Sequence, residues 1–310
     1  MMSHNVILPT EDEIVSSWNN SSKVVVSIIC TTFNHEDFVS EAINSFLKQK
    51  TEYSFEIIIH DDASNDNTVD IIEKYKKKYP LIIKTIYQND NQYIKGKKAI
   101  NLAYPLCCGK YIAICEGDDF WDDNHKLQKQ ITFLESNKEY FVSHHNAYYI
   151  RDGIKNIDEL KVTNKLQCNF SQDALVKGRC FLPTLSLVFR NKIKLDNIPE
   201  SDFVVNYDYF LISLFGLYGK SKYHKDINPG GYRVHGGGVW SLLDKDKKND
   251  QFMYTCFALY LYHKRNNTGY SDYFIIKNFQ LWFKKVFFSK LWIKAFYFMV
   301  ENKVKKTFGK

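Results

Sequence analysis

Apolar runs that alternate with helix-like segments are the feature that most constrains the fold of this 310-residue chain. The alternation occurs four times in roughly the first 135 residues, which favours right-handed βαβ units and a mostly parallel sheet. We therefore predict an α/β fold with a Rossmann-like sheet flanked by helices. The strands are predicted at residues 24–30, 55–59, 81–87 and 111–115, and the helices at 36–49, 67–79, 97–107 and around Leu127 to Leu134.

Polar residues follow three of the predicted strands. Thr31-Thr32-Phe33-Asn34 ends the first strand, Asp61-Asp62 follows the second, and Glu116 to Asp119 follows the fourth. Ligands of open α/β sheets bind beyond the carboxyl ends of the strands, so we expect these clusters to converge on one site. The chain contains no GxGxxG and no GxxxxGK[ST]. The dinucleotide-binding and P-loop classes therefore lack their phosphate loops.

The tetrad Glu116-Gly117-Asp118-Asp119 carries the most specific chemistry. Three carboxylates at a strand end repel one another and are costly to desolvate, so a cation is expected among them. Oxygen ligands favour a hard divalent ion such as Mg²⁺ or Mn²⁺, which completes its shell with water and substrate phosphates. The tetrad predicts a site for a metal and a diphosphate; the alternative is an acidic turn that caps the next helix.

Four segments together resemble the family 2 glycosyltransferases, which are inverting, nucleotide-sugar-dependent enzymes of GT-A fold. The segments span roughly residues 24–241 in the family's order, and the last is similar to a loop of members that assemble bacterial polysaccharides. They read VSIICTTFNHEDFVSEAINSFLKQ, EIIIHDDASNDNT, YIAICEGDDFWDDNHKLQKQ and YRVHGGGVWS.

The resemblance implies a nucleotide-sugar site with a Mg²⁺ or Mn²⁺ ion. Asp62 would accept a hydrogen bond from the base, and uracil offers an N–H for it, so a UDP-sugar is the favoured donor. Asp118 would be the metal ligand, with Asp119 and His235 as further candidates. Glu116 stands where the family usually has Asp. The residues expected to bind the nucleotide-sugar are Thr31, Thr32, Phe33, Asn34, Asp61, Asp62, Glu116, Gly117 and His235.

Inversion requires a base that takes the proton of the acceptor hydroxyl. The family places an Asp at the start of a helix in the second half of the domain, often after a Glu. Asp208 is the candidate here, although it follows Tyr207, and Asp202 is the nearest rival.

Positive charge is concentrated in residues 273–310, which hold nine lysines, one acidic residue and twelve aromatic residues. Two interpretations remain open for this basic aromatic segment. It can form helices that pack on the core with lysines in water, or an interfacial element on an anionic membrane. The rest of the chain is close to neutral, which disfavours nucleic acid as a partner.

Cysteine usage and hydropathy suggest where the protein resides. The seven cysteines form no CxxC pair, two lie in apolar strand runs, and the N-terminus does not resemble a signal peptide. No uncharged apolar stretch reaches the ~18 residues of a membrane span. We expect a cytoplasmic protein, peripheral at the inner face of the plasma membrane. The expected divisions are an N-terminal arm (1–23), a GT-A domain (24–250, with a nucleotide-sugar half 24–125 and an acceptor half 126–250) and a helical extension (251–310).

These features together predict an inverting glycosyltransferase for a bacterial surface glycan such as capsule, O-antigen or lipooligosaccharide, with a lipid-linked acceptor. Two alternatives come from other classes. A nucleotidyltransferase of related fold would release pyrophosphate, and a non-catalytic scaffold would bind the nucleotide-sugar without turnover.

Overall fold

The structure is a computed structural model that describes residues 7–237 and 243–287. Its strands are β1 (Val26–Thr32), β2 (Phe55–Asp61), β3 (Ile83–Tyr87), β4 (Tyr111–Ile114), β5 (Tyr140–His144), β6 (Ala147–Arg151), β7 (Ile154–Leu160), β8 (Val188–Arg190), β9 (Lys220–Tyr223) and β10 (Gly230–Val234). Its α-helices are α1 (Glu11–Ser16), α2 (Val39–Leu47), α3 (Thr68–Lys78), α4 (Ala99–Ala103), α5 (Lys126–Ser136), α6 (Gln172–Val176), α7 (Tyr207–Phe215), α8 (Lys245–Arg265) and α9 (Ser271–Phe287).

The main sheet has seven strands in the order β3-β2-β1-β4-β8-β5-β9. β1 runs parallel to β2 and β4, β3 runs parallel to β2, and β9 runs parallel to β5. β8 is antiparallel to both of its neighbours. A smaller sheet has the order β10-β6-β7. The prediction of a mostly parallel sheet flanked by helices is confirmed.

Continuous apolar runs form the centre of the main sheet because helices cover both of its faces. Successive side chains of a strand point to opposite faces. Ile28 and its partner Ile57 therefore pack in one core with Phe46 of α2, whereas Ile29 and Ile58 pack in the other. This burial on both sides fixes the register of β1 and β2, and with it the position of the polar residues that follow them.

Residues 11–16 of the expected N-terminal arm form a helix, α1, which the sequence analysis did not predict. Thr10 and Glu13 form a reciprocal capping box at the start of α1, a local signal that the sequence does carry. Ile14 is buried, and the Trp18 ring packs edge-on against Phe55 with centroids 5.4 Å apart. Residues 1–6 lie outside the described residues.

The C-terminal helices begin earlier than predicted and pack on the main core. α8 starts at Lys245, after the N-cap Asp244, and so crosses the expected boundary at residue 250. Cys256 of α8 and Phe274 of α9 share the core cluster of Phe210 on α7. Within the two described ranges, no helix is long and apolar enough to cross a membrane. Residues 288–310 of the predicted extension lie outside the described residues.

The glycine-rich sequence at residues 228–241 predicts a loop, but residues 230–234 within it form the strand β10. β10 pairs with β6, and the backbones of Gly231 and Phe120 exchange hydrogen bonds. A Cβ at Gly231 would lie 2.4 Å from the Phe120 ring, and one at Gly230 would lie 2.5 Å from Leu185. Glycine therefore permits β10 to approach the segment that follows β4. Residues 238–242 are outside the described residues.

Candidate active site

The acidic tetrad lies directly against the end of β1. The Gly117 N–H donates to the Thr31 carbonyl oxygen at 2.9 Å. A Cβ at Gly117 would come within 2.4 Å of the Thr32 side chain, so only glycine allows this approach. The strand register thus brings together Thr31, Thr32 and the tetrad, as the sequence predicted.

Strand β10 carries a second group of residues to the tetrad. The Arg233 N–H donates to Asp119 Oδ1 at 2.9 Å, which turns the Asp119 carboxylate towards β10. Two residues later, His235 Nε2 donates to Asp118 Oδ2 at 2.9 Å. Gly237 N–H donates to His235 Nδ1, so without a cation the proton of the neutral imidazole lies on Nε2, and a cation bound at Nε2 would displace it. The structure therefore brings two of the predicted metal ligands, His235 and Asp118, into contact, and their role as ligands stays a prediction.

Arg233 is a residue that the sequence analysis left without a role. Its guanidinium donates to the Asp118 carbonyl oxygen and to the Glu41 carboxylate of α2. The same group lies 5.0 Å from the ring centroids of both Phe38 and Phe120. These contacts tie β10, α2 and the tetrad together around a side chain that is only 10% exposed.

His35 is a second residue that was missed, although it lies within the first quoted segment. Its Nε2 is 4.0 Å from Asp118 Oδ2, and its ring is edge-on to that of His235 with centroids 5.9 Å apart. Burial lowers the pKa of the His35 imidazole, and the Asp118 carboxylate opposes that shift. His35 is the nearest histidine in sequence to the Thr31–Asn34 cluster, but only the folded chain shows that it meets Asp118.

The three carboxylates of the tetrad differ in their protonation equilibria. Burial, followed by the neighbouring Asp118 charge, raises the pKa of Glu116 to about 7. The same two causes hold the pKa of Asp119 well above its ordinary value. Burial also opposes ionisation of Asp118, but the hydrogen bond from His235 and the charge of His35 outweigh it and lower the pKa. Asp118 is therefore the carboxylate best prepared to face a cation.

Lys161 is the third residue that sequence reasoning missed. Its ammonium lies over the Tyr232 ring, where burial lowers its pKa to about 8 while Asp119, Glu116 and Asp208 oppose the shift. The backbone of Lys161 is held by a 2.7 Å hydrogen bond to Ala147 at the start of β6. No local sequence pattern signals this position, because its placement depends on pairing within the small sheet.

The second predicted cluster fixes the loops at the ends of β1 and β2. Asp61 is 1% exposed and accepts hydrogen bonds from Thr32 Oγ1 and from the backbone and hydroxyl of Ser64. Asn34 adopts a left-handed conformation with φ of 54°. Its side chain accepts from the Asn65 N–H, and its own N–H donates to Ser64.

Asp62 anchors the loop that follows β3. Its two carboxylate oxygens accept the backbone N–H groups of Gln92 and Tyr93 at 2.7 and 3.0 Å. A carboxylate has about four acceptor directions, so further hydrogen bonds are possible. The role of Asp62 in base recognition stays a prediction. Phe33, with 40% of its surface exposed, lies at the same edge of the sheet and is open to a ligand.

Asp208 lies in the first turn of α7 and is partly buried. Burial raises the pKa of its carboxyl group, while the Tyr209 N–H and the charge of Lys161 oppose that shift. The rival Asp202 is 45% exposed and is paired with Lys97 at 2.6 Å. Asp208, unlike Asp202, therefore belongs to the electrostatic network of the tetrad.

The donor atoms around Asp118 suit a divalent cation. His35, Asp118 and His235 each offer one ligand atom, and these atoms lie within 4.8 Å of one another. Imidazole nitrogen and carboxylate oxygen are ordinary ligands of first-row metal ions. Asp119 was predicted as a possible second ligand. One of its carboxylate oxygens already accepts the Arg233 N–H, and its role as a ligand stays a prediction.

Two solved structures resemble this fold. TarS of S. aureus in complex with UDP-GlcNAc gives a TM-score of 0.56 at 18% identity, covering 76% of this chain and 66% of that chain. The mannosyltransferase PcManGT of Pyrobaculum calidifontis, in complex with GDP-Man and Mn²⁺, gives 0.57 at 12% identity, covering 91% and 81%.

Curated relatives match over part of their length. An uncharacterized protein of Mycobacterium tuberculosis is 32% identical over 226 residues, 72% of this chain and 62% of that protein. The Escherichia coli protein WfaP, a UDP-Glc:alpha-D-GlcNAc-diphosphoundecaprenol beta-1,3-glucosyltransferase, is 40% identical over 129 residues, 41% of this chain and 48% of that protein. The family model for glycosyl transferase family 2 matches residues 27–185, from β1 to the segment before β8. That range covers half of the chain and includes the tetrad, so this protein belongs to glycosyl transferase family 2.

Proposed function

We propose that this protein is a metal-dependent, inverting glycosyltransferase that uses a UDP-sugar and a lipid-linked bacterial glycan. The observation that carries the proposal is the hydrogen bond between His235 and Asp118 at the carboxyl ends of the parallel strands. It joins an imidazole and a carboxylate from distant parts of the chain, which supports our assignment of both as metal ligands, at the edge where such sheets bind nucleotides.

The choice of donor and acceptor rests on two similar proteins. The structure of TarS contains UDP-GlcNAc, and WfaP acts on a diphosphoundecaprenol-linked sugar. A uracil base would suit Asp62, which can accept its N–H. On this basis we assign a UDP-sugar as donor and a lipid-linked glycan of a surface polysaccharide as acceptor.

The proposed reaction needs a base, a bound diphosphate and an oriented sugar. The acceptor oxygen bonds to the anomeric carbon as the bond from that carbon to the diphosphate breaks on the opposite face. Asp208 receives the acceptor's proton, and Lys161 helps to hold the Asp208 carboxylate ionised. A cation at Asp118 and His235 would supply positive charge beside the departing diphosphate.

Calorimetric titration with UDP, GDP and CDP, each with and without Mn²⁺, tests the donor assignment. We expect UDP to bind tightly only when Mn²⁺ is present, because the diphosphate completes the shell of the ion. With a UDP-sugar and acceptor, the released product should be UDP, whereas a nucleotidyltransferase would release pyrophosphate. Failure of all three nucleotides to bind, with or without metal, would contradict the proposal.

We also propose that the exposed face of α9 docks on an anionic membrane at the inner leaflet. Phe279 and Phe283 are 61% and 50% exposed, and their rings stack with centroids 6.4 Å apart. Trp282 on the same helix is 47% exposed. Lysines are dense from residue 273 onwards, which suits anionic headgroups. A lipid-linked acceptor would then be within reach of the site.

Sedimentation with vesicles of phosphatidylglycerol or of phosphatidylcholine tests this surface. The double variant Phe279→Ser/Phe283→Ser should bind the anionic vesicles at least about tenfold more weakly, since each buried aromatic ring contributes about 1.5–3 kcal/mol. Leu81→Ser is the matched control, because Leu81 is 72% exposed and lies just before β3. Equal binding by the double variant and the wild type would exclude α9 as the docking face.

A further inference from the structure

His35 occupies the position of a third ligand around Asp118. Its Nε2 lies 4.0 Å from the same carboxylate oxygen that His235 Nε2 contacts at 2.9 Å. Metal ions bind nitrogen and oxygen donors at about 2.0–2.2 Å, so two donors of one ion lie at most about 4.4 Å apart. Both separations are within that limit, and the ligand atoms of His35, Asp118 and His235 all lie within 4.8 Å of one another.

The backbone and ring of His35 are held in place before any ion binds. Its N–H donates to Thr68 Oγ1 at 2.8 Å, at the start of α3. Its ring is edge-on to Phe38, and its Nδ1 would be 3.1 Å from a Cβ at Gly117. Among the described residues, that Nδ1 is buried and has no hydrogen-bond partner. Packing therefore holds the ring, and its other nitrogen, Nε2, is the one that faces Asp118.

Given the proposed function, we infer that His35 is a metal ligand and that it makes the site select Mn²⁺ over Mg²⁺. Two imidazole nitrogens and one carboxylate would then face the ion. Imidazole suits transition metals, whereas Mg²⁺ prefers oxygen and retains its waters. The sequence predicted either Mg²⁺ or Mn²⁺. His35, which lies between β1 and α2, would favour Mn²⁺.

Electron paramagnetic resonance of Mn²⁺ tests this inference without an activity assay. Free Mn²⁺ is measured while the protein is titrated with UDP present, and Mg²⁺ is then added as a competitor. His35→Ala should weaken Mn²⁺ binding by about 10–100-fold or more, since even partners outside the ligand shell have effects of that size. His35→Gln, which offers oxygen and preserves side-chain length, should narrow the preference for Mn²⁺ over Mg²⁺.

Electron spin echo modulation from ¹⁴N counts the coordinated imidazoles directly. We expect two in the wild type and one in His35→Gln. His125→Gln is the matched control, because His125 has an exposed imidazole at the start of α5 and should bind Mn²⁺ as the wild type does.

The outcomes separate the two proposals. Unchanged Mn²⁺ affinity, unchanged metal preference and an unchanged nitrogen count in His35→Gln would overturn the role of His35 and leave the proposed function standing. A wild-type protein that binds neither Mn²⁺ nor UDP would overturn both.

Discussion

Replacing Asp208 with asparagine is expected to lower kcat by about 10²–10⁴-fold, the contribution that is typical of a general base. The amide of asparagine has nearly the same shape but cannot accept the acceptor's proton. Asp208 is in the first turn of α7, and its carboxylate accepts the Tyr209 N–H, a contact that the amide oxygen can retain. We therefore expect the variant to fold and to bind UDP and Mn²⁺ with wild-type affinity.

Asp202→Asn is the matched control for this prediction. Asp202 is the alternative base, but its carboxylate is partly exposed and paired with Lys97. Loss of a surface ion pair should lower the free energy of unfolding only slightly. The fold should therefore be kept, and turnover should stay near the wild-type rate. A large loss of turnover in Asp202→Asn, together with near-normal turnover in Asp208→Asn, would reverse the assignment. Wild-type turnover in both variants would show that neither Asp208 nor Asp202 is the general base.

The half of the site that β1, β2 and β4 form was predictable, because buried strands appear in the sequence as continuous runs of apolar residues. Strands covered on both faces, such as β2, consist almost entirely of buried residues. The polar residues that end them then converge by topology alone, as the contact between Gly117 and Thr31 shows. Local pattern and global fold agree in this half of the molecule.

The other half of the site depends on contacts between residues that are far apart in sequence. His235 reaches Asp118 because β10 pairs with Phe120, and Lys161 is placed by Ala147. Neither pairing has a local signal, and Gly230 and Gly231 were taken for a loop because glycine is rare inside strands. The resemblance to a family supplied His235 and Asp208, which the residues alone did not specify.

Charge balance explains why the site was easier to locate than to interpret. The tetrad and Asp208 place several acidic groups near two partly buried cations, Lys161 and Arg233. Burial raises the pKa of Glu116 and Asp208, and Lys161 compensates only in part. The excess of negative charge favours a cation, and the histidines beside Asp118 indicate where it would bind.

Replacing Asp118 with alanine is expected to abolish the Mn²⁺-dependent part of UDP binding. Asp118 is the tetrad carboxylate whose pKa is lowered, and it is the shared partner of His35 and His235. Removing it leaves two imidazoles without the anionic ligand that a dication requires, so we expect more than a ~100-fold loss of Mn²⁺ affinity. Calorimetric titration of UDP with and without Mn²⁺ measures the loss.

Thermal unfolding distinguishes a specific loss of Mn²⁺-dependent UDP binding in Asp118→Ala from unfolding of the variant. The Asp118 charge raises the pKa of both Glu116 and Asp119, so its removal relieves repulsion and offsets the lost hydrogen bond from His235. The Tm of Asp118→Ala without metal should therefore stay close to that of the wild type. Asp158→Ala, at an exposed position of β7, is the control and should keep full Mn²⁺-dependent binding. If Asp118→Ala retains that binding with an unchanged Tm, the cation is held elsewhere, and Asp119 becomes the next ligand to replace.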